Sequence, residues 1–147
     1  MFARSVSERA FALDLGATWA GDTADTPPAP LAAIIDTTPA WKPIVSGLRA
    51  LRPGGRLVVN AIRKETRDQS ELLSLDYGRD LWMEREIKSV ANVTRADVRE
   101  MLAEAAAMQL KPSVEEMLLS DANVALGRVA RGEGVRGALV LDVGNRE

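Results

Sequence analysis

The chain has 147 residues, 46% of them hydrophobic and 27% charged, with a net charge of −2, the balance expected of a soluble globular domain. No apolar run approaches the roughly 18 residues of a membrane span, the N-terminus lacks a basic-then-apolar leader, and the small charge gives no reason to expect nucleic acid or a membrane as partner, so a cytoplasmic protein is expected. There is neither cysteine nor histidine, which excludes disulfides and thiol chemistry and removes the usual transition-metal ligands and the commonest general base.

Residues 1–3 read as the tail of a strand, followed by a helical spacing of Ala10, Phe11, Leu13 and Leu15 that stops at Gly16. Residues 17–20 are short, apolar and bounded by glycine, and predict a second strand. Pro27, Pro28 and Pro30 make residues 22–30 a rigid loop. Residues 31–64 then hold the unit around which the chain is organised. Ala32, Ala33, Ile34 and Ile35 form a continuous apolar run, as in a strand buried on both faces, and it ends at Asp36, Thr37, Thr38 and Pro39. Trp41, Ile44, Val45, Leu48 and Leu51 recur at helical spacing, with Pro43 acceptable only in a first turn. Pro53 stops that helix, Gly54 and Gly55 can take positive φ, and Leu57, Val58 and Val59 begin a second parallel strand. Such a unit places both strand C-termini on one edge of the sheet, where open α/β sheets hold ligands.

Beyond Lys64, residues 71–75 suggest a short strand or a turn of helix, residues 80–84 a helix, and residues 86–93 a strand. Thr94 reads as an N-cap with Asp97 at the third helical position, and Val98, Met101, Leu102, Ala105 and Ala106 give that helix an apolar face up to Pro112. A strand over 114–119, a helix over 121–130 capped by Ser120 or Asp121, and a strand over 137–143 complete the chain. Asp36, Asp76 and Glu84 are a conceivable carboxylate set, but nothing in their spacing demands acid–base work.

Taken in order, Arg4 and Ser5 before a helix, Leu15-Gly16-Ala17 after it, the strand closing on Asp36-Thr37-Thr38, the run from Arg52 to Val59, residues 89–95 and the closing Arg136-Gly137-Ala138 resemble the C-terminal part of the zinc-type, medium-chain alcohol dehydrogenases. The resemblance covers Phe2 to about Val143. It implies an α/β fold: a partial Rossmann fold whose mostly parallel sheet lacks the first strand and its Gly-rich, pyrophosphate-binding turn. Residues 1–136 would be an incomplete NAD(P)-binding domain, and residues 137–147 a strand returning to a catalytic domain that this sequence does not contain. The family's zinc ligands lie in that domain, so the resemblance implies no metal site and no catalytic residue here.

The same resemblance assigns a cofactor site. Ala3 stands where the family carries an acid for the adenosine ribose, so Arg4 and Ser5 are expected to take a 2′-phosphate, favouring NADP over NAD. Thr37, Thr38, Asn60, Ala61 and Ile62 would meet the nicotinamide and its ribose, Arg136 the pyrophosphate, and Arg95, a cation at a helix start, is a further contact. Trp41 and Trp82 are expected to pack. Residues 71–75 match an edge strand that pairs with its copy in a second subunit, so a homodimer is expected. Two alternatives stand beside this reading: a non-catalytic dimerising remnant, and a fragment of an S-adenosylmethionine-dependent methyltransferase, whose strand and turn the run from Leu51 to Val59 also resembles.

Overall fold

A computed structural model describes residues 1–133 and 137–144. The chain divides into two compact units, Met1–Asn92 and Val93–Glu147. In the first, helix α1 (Val6–Asp14) precedes strand β1 (Leu31–Asp36), helix α2 (Lys42–Ala50), strand β2 (Leu51–Val59), a 3-10 helix (Gln69–Ser74), a π-helical turn (Tyr77–Leu81) and strand β3 (Glu86–Ser89). The three strands form one parallel sheet in the order β1-β2-β3.

The apolar stripe read from the sequence is what joins α2 to this sheet. Ile44 and Leu48 pack with Leu51 and Leu57 in a buried cluster, joined by Leu31, Ile34, Trp41, Val59, Leu75 and Leu81. Gly47 allows the close approach, since a Cβ there would lie 2.9 Å from the Leu57 side chain and 3.3 Å from that of Ile34. Pro43 sits in the first turn, where its missing N–H costs nothing. Gly54 takes φ +67° and donates its N–H to Met83 O at 2.8 Å. This turn is a bulge in β2: Leu31 pairs with Leu51, but Ala33 already pairs with Arg56.

Several expectations are corrected. Strand β1 is not buried on both faces: Ala32 and Ala33 are exposed and Ile35 is 70% exposed, because α2 covers one face of the sheet and β1 pairs on one side only, with β2. Residues 17–20 form no strand. The pairing shrinks to a parallel bridge between Phe2 and Gly21, where the Trp19 ring meets Phe2 edge-on at 5.0 Å and the chain turns at once, Asp25 N donating to Asp22 O. Residues 71–75 fall largely in the 3-10 helix instead of an edge strand. The carbonyl of Ser74 is taken by Arg49 and Arg79, so it offers no free strand edge. The strand expected over 86–93 ends at Ser89, since β2 has run out at Val59 and Asn92 turns left-handed at φ 65°.

In the second unit, α3 (Arg95–Ala107) starts at the capping box expected at Thr94 and Asp97. Strands β4 (Val114–Leu118) and β5 (Ala138–Asp142) pair in parallel, so the closing strand has a partner and the expected boundary at 136/137 falls between paired strands. Helix α4 (Ala122–Arg131) receives no side-chain cap from Asp121. A 3-10 turn over Leu119–Asp121 leads into it instead, with Ala122 N donating to Leu119 O. Arg128 on α4 holds Glu115 on β4 by two bonds of 2.5 and 3.1 Å. No helix among the described residues is long and apolar enough to cross a membrane.

Candidate functional site at the carboxyl edge of the sheet

Parallel pairing in register brings the strand ends together. Asp36 lies opposite Val59 and Val59 opposite Ser89, so the loops after β1 and β2 leave the same edge. Asn60 N donates to Asp36 O at 2.8 Å, and Val90 N to Val59 O at 3.1 Å, which carries the ladder one step into the loops. Five predicted site residues therefore share this edge. Thr37, Asn60 and Ile62 are exposed, Ile62 completely, while Thr38 and Ala61 are half-buried.

Beneath the exposed edge lies a polar cluster that sequence reasoning missed. The Asp36 carboxylate, 5% exposed, accepts from Lys64 Nζ, from Thr38 Oγ1 at 2.8 Å and from Thr38 N at 3.3 Å. Lys64 Nζ also donates to Thr38 O at 2.8 Å and Ala40 O at 3.0 Å, and lies 5.9 Å from the centre of the Trp41 ring. The Trp41 indole donates to Glu65 O at 2.9 Å, and Glu65 N donates to Pro39 O at 2.8 Å. Asp68 closes the cluster by accepting from Trp41 N and Lys42 N, both at 2.9 Å. The backbone N–H of Lys42, foremost, and that of Trp41 lower its pKa from the usual carboxylate range, against the cost of desolvation.

The remaining predicted residues lie elsewhere. Arg4 is exposed beside the Phe2–Gly21 bridge. Ser5 caps α1, accepting from Glu8 N, and its hydroxyl lies 2.6 Å from that of Ser7. Arg9, not anticipated, ties this corner together through Ala3 O at 2.6 Å and Asp22 at 3.2 Å. Arg95 opens α3 in the second unit, exposed to solvent, and Arg136 lies outside the described residues. Trp41 packs as expected. Trp82 does not: it is 55% exposed and stacks edge-on with Tyr77 at 5.8 Å. A hollow of about 730 Å³ lined by Pro53, Gly54, Tyr77, Trp82 and their neighbours lies by the amino end of β2, away from the loops that follow it.

No known family profile matches the chain. It is 37% identical over 138 residues, 94% of its length, to the probable alcohol dehydrogenase AdhA of Mycobacterium tuberculosis. Over almost its whole length the chain is thus similar to a part of an alcohol dehydrogenase, in line with the resemblance read from the sequence. Solved structures agree on the fold: the cinnamyl alcohol dehydrogenase of Sorghum bicolor superposes with a TM-score of 0.73 at 24% identity, over 99% of this chain and 41% of that one. The CAD of Helicobacter pylori, complexed with NADP(H), gives 0.71 at 17% identity, over 96% and 40%. The chain spans 38% of the Mycobacterium relative. Its dehydrogenase fold is thus the α/β, Rossmann-type architecture expected from the sequence.

Two of the three carboxylates weighed from the sequence are engaged by partners. Asp36 is held by Lys64, and Asp76 caps the π-helical turn, accepting from Arg79 N at 2.8 Å. Among the described residues no group of three or more His, Cys, Asp or Glu could hold a metal ion, and the sequence has neither cysteine nor histidine.

Proposed function

We propose that this chain forms part of the cofactor site of an NADP-dependent alcohol dehydrogenase, with the loops after β1 and β2 as the nicotinamide side. One observation carries the reading: two parallel strands end in register, at Asp36 and Val59, and release Thr37-Thr38 and Asn60-Ala61-Ile62 at a shared edge. Ligands of open α/β sheets sit at such edges. The residues present suit the group. Ile62 offers a fully exposed apolar surface for a flat ring, and Thr37 and Asn60 supply exposed hydroxyl and amide groups for the ribose. Arg4, exposed and free of a neighbouring acid at position 3, is the guanidinium for a 2′-phosphate, with Ser5 beside it. The cofactor domain of this reading spans residues 1–136, with a closing segment of 137–147.

The cofactor, when bound, would supply hydride-transfer chemistry, and the chain's own task is to hold and orient it. No zinc-dependent step is assigned to these residues. NADPH and NADH titrations of the full chain by calorimetry test the reading. NADPH should bind more tightly, and Arg4→Ala should weaken it by about tenfold, the value of one charge-assisted contact, while leaving NADH unchanged. Equal affinities insensitive to Arg4 reject the NADP preference, and no binding of either rejects the site.

A further inference from the structure

We infer that Lys64 is a positioning residue for the cofactor, a clasp that fixes the loop after β1 against the loop after β2; this rests on the site proposed above. The ammonium has three protons to donate, and all three are committed: to the Asp36 carboxylate, to Thr38 O at 2.8 Å and to Ala40 O at 3.0 Å. Every acceptor belongs to residues 36–40, whereas Lys64 itself follows Asn60-Ala61-Ile62 on the other loop. One side chain therefore spans the two segments that carry the five nicotinamide-side residues. The Lys64 side chain is 12% exposed and that of Asp36 4%, so the pair is shielded from competing water.

A buried ion pair is poor evidence of stabilisation, since apolar replacements often serve as well, and specifying one conformation is its better-attested use. Here the conformation specified is that of the sheet edge. The Thr38 hydroxyl and N–H are both turned inward onto Asp36, which leaves Thr37 as the outward residue of the pair. Without the ammonium, the carbonyls of Thr38 and Ala40 and the carboxylate of Asp36 lose a shared donor, and the loop is left tied to the other segment mainly by Glu65 N on Pro39 O. The adenosine side, built on Arg4 and Ser5, makes no contact with Lys64 in the bonds described and should not notice.

The test compares NADPH with 2′,5′-ADP, which keeps the adenosine phosphates and lacks the nicotinamide, on the wild-type chain, Lys64→Met, and the neutral pair Asp36→Asn/Lys64→Met, which removes the donor without leaving a buried unpaired carboxylate if the single variant fails to fold. Loss of the clasp should weaken NADPH by tenfold or more in each folded variant and leave 2′,5′-ADP within twofold. Unchanged NADPH affinity overturns the clasp, and so does an equal loss for both ligands, which marks a merely structural residue. A wild-type chain that binds 2′,5′-ADP and NADPH equally well rejects the nicotinamide edge, and the clasp's role with it.

Discussion

Asp80 shows how one side chain carries pH dependence in this molecule. It is fully buried and held by Arg79 through bonds of 2.7 and 2.8 Å, by Arg49 at 3.3 Å and by the N–H of Asp76 at 2.9 Å. The Arg79 hydrogen bonds, foremost, outweigh the opposing burial and lower its pKa to about 2. A carboxylate depressed in the folded state contributes stability that is present above its unfolded value, about pH 4, and lost as the pH falls toward 2. Urea stability should therefore drop between about pH 4 and pH 2, and Asp80→Asn should flatten that slope while lowering stability at pH 7 by about 1.5–3 kcal/mol. An unaltered acid slope in the variant would assign the effect to other paired carboxylates, such as Glu86 beside Arg56 or Glu115 beside Arg128, which shift in the same direction. None of this was legible in the sequence, because Asp80 sits in a run that reads as a helix and its partner Arg49 lies 31 residues away.

At the scale of elements, α2 was the most legible part of the chain. Its apolar spacing, its first-turn proline and its glycine-marked exit all point to one crossover helix, and the helix and the parallel strands on either side formed where expected. Its N-terminus was not legible. The cap position, Trp41, has helical dihedrals and no capping side chain of its own, so Asp68 supplies the acceptor from another loop and sets a negative charge at the helix start. Asp68→Ala should cost about 0.5–2 kcal/mol, the range of a lost N-cap, read from the urea midpoint by Trp fluorescence. A change within a few tenths would show that water replaces the carboxylate. The local capping box of α3 needed only three residues of separation and was read directly from Thr94 and Asp97. Of the two forms read for 71–75, a strand or a turn of helix, the helical turn formed, and the edge strand implied by the resemblance did not: Arg49 and Arg79 claim the backbone carbonyl of Ser74.

For the whole molecule, the first unit buries one cluster under α2 and leaves Ile35, Ile62, Leu73, Tyr77 and Trp82 exposed. We propose that residues 71–75 belong to the surface of a homodimer, with Leu73, 90% exposed, as an apolar side chain that such an interface would cover. Sedimentation at tens of micromolar should give twice the chain mass, and Leu73→Asp should return the monomer; a wild-type monomer at that concentration would sink the proposal. The sequence by itself determined the α/β class, the crossover unit with its strand tips on one edge, and the exclusion of cysteine and histidine chemistry, because these follow from periodicity and composition within short spans. Only the tertiary structure decided that Lys64 grips Asp36, that Asp68 caps α2, that β1 is open on one face and that β5 pairs with β4. Those depend on which distant groups meet, and a buried charge or a strand edge takes whatever partner the fold brings to it.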